Sequence, residues 1–172
     1  RNYGQEILII RDAARAPDGS DASLYAANAH IMQAGDADNY IYRGLVYLHR
    51  GSYAEALDDF KAAHKRNTKR TEPYLGIALA HVGAGNVKEA RRAYEVYLKV
   101  APDDAAALYN YGLTLLAENS PAKAVAPLRD AIRRAPQNAD SYSALAVVLI
   151  PSIGVYSGVL PAYSPDFSAD PK

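Results

Sequence analysis

Apolar and small side chains recur along this chain every 34 residues, and within each period they keep helical spacing. Segments beginning at Ala37, Thr71, Ala105 and Ala139 align column by column. The fourth column reads Tyr40, Tyr74, Leu108, Tyr142 and the eighth Gly44, Ala78, Gly112, Ala146. The twentieth reads Ala56, Ala90, Ala124, and the twenty-fourth Phe60, Tyr94, Leu128. Near the end of each of the three full periods stands Thr68, Pro102 or Pro136. In the first unit Tyr40, Gly44, Tyr47 and Leu48 share a face over residues 40–50, and Ala56, Phe60 and Ala63 share one over residues 53–66. Gly51-Ser52 breaks the helix between them. Each unit is therefore predicted to be two helices that approach closely at Gly44 and Ala56, with Tyr40 and Phe60 filling the space beside them. A unit of this size cannot bury its apolar face alone, so the period predicts stacking of successive units.

These residues carry a family resemblance. Large at four, small at eight, Ala at twenty, aromatic at twenty-four and Pro near thirty-two resembles the tetratricopeptide repeat (TPR). Residues 37–136 match the pattern well and 139–150 partly, with departures at Tyr97, where the family has a small residue, and at Asn119, where it has Gly. The resemblance implies an all-α fold, a TPR alpha-solenoid of antiparallel helix pairs wound as a right-handed superhelix. The expected organisation is three repeats over 37–70, 71–104 and 105–138, then the first helix of an incomplete fourth over 139–150.

The ends depart from the period. Residues 1–36 read as a degenerate capping helix pair over 5–16 and 21–34, with Ser20 or Asp21 as N-cap. RDAARAP also echoes RDAIRRAP at 129–136, so the first of these helices could instead be the second half of an earlier unit. Pro151 arrives where the fourth unit should turn. The Pro- and Gly-rich, apolar tail 151–172 cannot form a long helix. It is an irregular cap, an extended peptide lying in a repeat groove of its own chain or a neighbour's, or foreign sequence. Arg1 stands in place of Met, which implies a processed form or a piece of a longer chain, so that the repeats could also be the targeting segment of a larger enzyme.

In the family, columns 2, 5, 9, 12 and 13 line the concave surface. Carried over, the partner-binding candidates are Ile41, Leu45, Leu48, His49, Leu75, Leu79, Val82, Tyr109, Leu113, Leu116 and Val147. This surface is mostly aliphatic, which suits an apolar peptide or an amphipathic helix. Some of these side chains could equally seal contacts between adjacent first helices. Repeats that hold acidic chaperone tails use Lys, Arg and Asn at columns 2, 5, 6 and 9. Here Asp38, Glu72, Ile41, Leu75, Leu45 and Leu79 stand there and only Asn110 fits, so a chaperone-tail clamp is not expected.

Charge and chemistry narrow the picture further. Lys and Arg number 19 against 19 Asp and Glu, so no broad positive field collects phosphates and nucleic acid is not an expected partner. His30, His49, His64 and His81 lie in different units without metal-ligand spacing. No nucleophile motif or phosphate loop occurs. Neither a cofactor nor an enzyme activity is therefore expected. Cysteine is absent and no apolar run is long enough to span a membrane. The absence of cysteine fits either an oxidising or a reducing compartment, and the Ala- and Arg-rich, cysteine-free character resembles bacterial envelope TPR proteins, including those of pilus or secretion assemblies, a resemblance that implies the periplasm or envelope ahead of the cytoplasm. The expected function is a non-enzymatic scaffold that binds a partner protein or peptide. The alternative is a self-assembly module, a homo-oligomer in which the tail docks onto a second copy.

Overall fold

The computed structural model describes residues 19–150, and these form helices joined by short turns. In chain order they are α1 (Asp21–Gln33), α2 (Ala37–Arg50), α3 (Tyr53–Arg66), α4 (Glu72–Gly83), α5 (Val87–Val100), α6 (Ala105–Ala117), α7 (Pro121–Arg134) and α8 (Ala139–Leu149). The helix expected over residues 5–16 and the tail 151–172 lie outside the described residues. Two compact units divide the chain, the first ending at Asn86 and the second beginning at Val87.

In the first unit, α1 starts where Ser20 Oγ accepts the Ser23 N–H at 3.2 Å, and α2 where Asp36 Oδ1 accepts from Asn39 at 2.9 Å. Side-chain oxygens at these positions satisfy amides that the first turn leaves unpaired. α2 therefore begins three residues ahead of the expected residue 40. The core joins Ala37, Ile41 and Leu45 of α2 to Ala56, Phe60 and Ala63 of α3 and Ala80 of α4. A Cβ added at Gly44 would come within 2.9 Å of the Phe60 ring, and one at Gly76 within 2.5 Å. Phe60, fully buried, thus rests against two helices that are bare where it touches them. Tyr53 covers Gly83 in the same way.

The turns share one closure. Gly51 and Gly85 have φ of 75° and 74°, and Asn119, at the same column of the third repeat, has φ 56°. After each, the next residue donates back across the helix end: Ser52 to Tyr47, Asn86 to His81 and Ser120 to Leu115, all at 2.9 Å. Asn is the side chain that most readily follows Gly into this left-handed region, which explains the departure at Asn119.

In the second unit Leu108, Tyr109, Leu113, Leu115 and Leu116 of α6 pack with Ala124, Leu128 and Ala131 of α7 and Ala144 of α8. Gly112 admits Leu128, whose Cδ2 lies 2.6 Å from where a Cβ would stand. Tyr97, the other departure, is buried, and its hydroxyl donates to Asp104 Oδ2 at 2.7 Å. Asp104 also caps α6 by accepting from Ala107 at 2.9 Å. The tyrosine occupies the small column because its polar end has a partner at the next helix start.

Candidate interaction surface

In the first unit the α4 candidates Leu75, Leu79 and Val82 follow helical spacing, and all three are half-buried. None belongs to the core around Phe60. Leu48 of α2 is half-buried and packs against that core, while His49 beside it is exposed. Ile41 and Leu45 are buried within the core itself, so their place is packing between α2, α3 and α4. The part of the carried-over surface that this unit leaves accessible is Leu48, His49, Leu75, Leu79 and Val82.

The head of this surface is charged. Arg70 donates to Glu72 Oε1 at 2.8 Å and Oε2 at 3.1 Å, and pairs with Asp38. Burial pushes the Glu72 carboxyl up, but the Arg70 hydrogen bonds and neighbouring backbone N–H groups outweigh it and hold it below the usual glutamate range. Asp38 goes the other way: burial raises it, Arg70 opposes, and Asp36 and Glu72 add to the rise.

In the second unit Tyr109, Leu113 and Leu116 are buried in the α6–α7 core. Val147 of α8 is half-buried. Asn110, the one residue that suited an acidic tail, is 1% exposed, and its carbonyl accepts from Thr114 Oγ1 at 2.8 Å. The candidates of the two units thus differ in kind, accessible aliphatics on α4 and core side chains on α6.

One polar feature escaped the sequence reading. Arg43 holds Asp59 through two hydrogen bonds of 2.7 Å and reaches Asn28 Oδ1 at 2.9 Å. Asp59 is 3% exposed, and the hydrogen bond to it leads the causes that raise the Arg43 pKa. Tyr40 and Tyr47 lie 5.6 and 5.7 Å from the guanidinium. The signal was present in the columns, where Arg43 aligns with Ile77, Tyr111 and Leu145, and Asp59 with Ala93 and Pro127. Two opposite charges replace uncharged residues on facing helices of one repeat.

A family model described as tetratricopeptide repeat matches residues 75–139. Residues 75–139 thus carry tetratricopeptide repeat sequence. Mouse (Mus musculus) serine/threonine-protein phosphatase 5 is 31% identical over 100 residues, 58% of this chain. This chain spans only 20% of that relative's length. Among solved structures, MamA is similar with a TM-score of 0.69 at 17% identity, covering 75% of this chain and 76% of MamA. YrrB, a TPR protein described as having an unusual peptide-binding site, is similar with a TM-score of 0.66 at 18% identity, covering 90% of this chain and 77% of YrrB. These likenesses show the fold, a tetratricopeptide-repeat arrangement of helix pairs. Proteins built on such repeats serve broadly as protein–protein interaction scaffolds. Among the described residues no cluster of three or more His, Asp or Glu is placed to hold a metal ion, and no helix is long and apolar enough to cross a membrane.

Proposed function

We propose that this chain is a non-enzymatic scaffold that binds an apolar peptide, or the apolar face of an amphipathic helix, on the α2–α4 surface of its first unit. The observation that carries the reading is the row Leu75, Leu79 and Val82, which is aliphatic, half-buried and separate from the core. With Leu48 it forms a surface of branched side chains, and a helix bearing apolar residues at i, i+3, i+4 and i+7 would match that spacing. Glu72 and Asp38, two carboxylates against one Arg70, favour a ligand with a basic residue at the end that meets them. A bacterial envelope setting, as in pilus or secretion assemblies, suits the cysteine-free composition and belongs to the proposal. The YrrB likeness supports peptide binding as a use of this architecture and says nothing of the ligand here.

Selection of a random peptide display library on the intact chain tests this. Wild type should enrich peptides with apolar residues at helical or alternating spacing, and Leu79→Glu, with helicity unchanged by circular dichroism, should lose them. Equal enrichment by both proteins would remove α4 from the site.

A further inference from the structure

The first and last described helices, α1 and α8, each present a face that the first and third repeats cover. Columns four, eight and eleven of a first helix turn toward its own second helix, whose columns twenty, twenty-four and twenty-seven turn back toward it. Gly44 of α2 lies against Phe60 of α3 in this way, and Gly112 of α6 against Leu128 of α7. Ala56, Phe60 and Ala63 of α3 and Ala124, Leu128 and Ala131 of α7 are fully buried. α8 stands at first-helix columns, yet Tyr142 is 48% exposed, Leu149 52% exposed, and Ala146 between them is exposed. Counting 34 residues back from α3 places Ala22, Ala26 and Ala29 of α1 at the second-helix columns. Ala22 is exposed and the other two half-buried, with Tyr25 and Met32 beside them at 80% and 88% exposed. The far side of each helix is satisfied. Leu24 and Ala27 of α1 pack with Tyr42 and Val46 of α2, and Ala144, Leu145 and Val148 of α8 pack on the α6–α7 core.

We propose that α8 of one copy of this chain pairs with α1 of a second copy, first-helix columns against second-helix columns, as the two halves of a repeat pair within the chain. The faces are unlike and fit one another: one sets two large side chains about a small one, the other is a row of alanines. In the antiparallel sense of a repeat pair, Tyr142 comes opposite Ala29, Ala146 opposite Ala26, and Leu149 opposite Ala22. The outer positions match in length, because residues 142 and 149, like 22 and 29, are two turns apart, roughly 10 Å along either helix. Small residues let two helices approach closely, and Tyr142 and Leu149 then fill the space above them. Neither row contains an Asp, Glu, Lys or Arg, so the pairing takes no charge out of water.

A second copy is the occupant because both halves of the missing pair belong to one sequence. An unrelated peptide would account for one bare face and leave the other unexplained. Helix faces that a repeat stack leaves bare are ordinarily polar, and these two are apolar instead. The contact is heterologous, one surface meeting a different one, and it continues the pairing already made by α2 with α3 and by α6 with α7. A single helix pair falls short of the roughly 800 Å² per partner of a standard interface, so the association is transient and belongs to high protein concentration.

Two variants, each altered only at exposed positions, block one face apiece: Tyr142→Asp/Leu149→Asp on α8 and Ala22→Asp/Tyr25→Asp on α1. Sedimentation equilibrium of the full chain reads the mass over a wide range of concentration, with circular dichroism confirming equal helicity. Wild-type mass should rise with concentration, and either variant alone should weaken association about tenfold or more. An equimolar mixture of the two variants should associate again and stop at twice the monomer mass, because one intact α8 face and one intact α1 face remain between them. Wild type that stays monomeric throughout would overturn the proposal. So would association that either variant leaves unchanged, or a mixture no more associated than its components, the mark of like faces meeting.

Discussion

Phe60 lies against glycines of two different helices, and that arrangement makes Gly76 a test of packing against propensity. Ala is the better helix former by about 1 kcal/mol, so Gly76→Ala would stabilise an isolated α4. Here its Cβ would stand 2.5 Å from a ring that is fully buried. Overpacking of this kind typically costs about 1–3 kcal/mol, so urea melts should show a net loss on the order of 1 kcal/mol. A gain would mean that Phe60 can yield. Arg43 and Asp59 obey a different balance. Arg43→Ala leaves a buried carboxylate unpaired and should cost about 3–5 kcal/mol, whereas Arg43→Met with Asp59→Leu should come close to neutral. Glu72 and Asp38 give opposite pH signatures. The depressed Glu72 stabilises the fold above its unfolded pKa and loses that contribution as pH falls through the folded value. Glu72→Gln should therefore flatten the decline in thermal stability on acidification below the usual glutamate range. Asp38, raised by burial, favours the fold when protonated, so Asp38→Asn should hold or raise stability at pH 7 and lose that advantage in acid.

At the scale of elements, the 34-residue period contained the helix pairs, their turns and the core columns, because small and large residues at fixed spacing leave few ways to pack. The second helix of the first repeat spans residues 53–66 as expected, and Asn119 keeps the turn geometry that Gly has in the other repeats. Asn119→Gly should leave the melting temperature almost unchanged, while Asn119→Val, strained at φ 56°, should lower it by several degrees. The binding columns were less legible. Family positions say which way a side chain points, but not whether the neighbouring helix fills the space it points into. Leu113 and Leu79 occupy the same column of successive repeats, yet one is buried in a core and the other half-buried outside it. The Arg43–Asp59 pair was legible only as two charges in columns that are uncharged in the other repeats, not as a contact, because its partners lie 16 residues apart on two helices.

For the whole molecule, we propose that a repeat fold presents an accessible aliphatic surface, on α2 and α4, to a partner segment. The fold alone does not choose a ligand, since relatives with similar architecture share under a quarter of their residues with this chain. In the proposed function the choice would lie in Leu48, Leu75, Leu79 and Val82 and in the carboxylates of Asp38 and Glu72. The most direct measurement is a methyl-labelled leucine and valine NMR titration of the intact protein with a peptide enriched by display selection. Methyl groups of Leu48, Leu75, Leu79 and Val82 should shift together and saturably, while the fully buried Leu128 stays fixed. Saturable shifts that spare α4 and gather elsewhere would contradict the account.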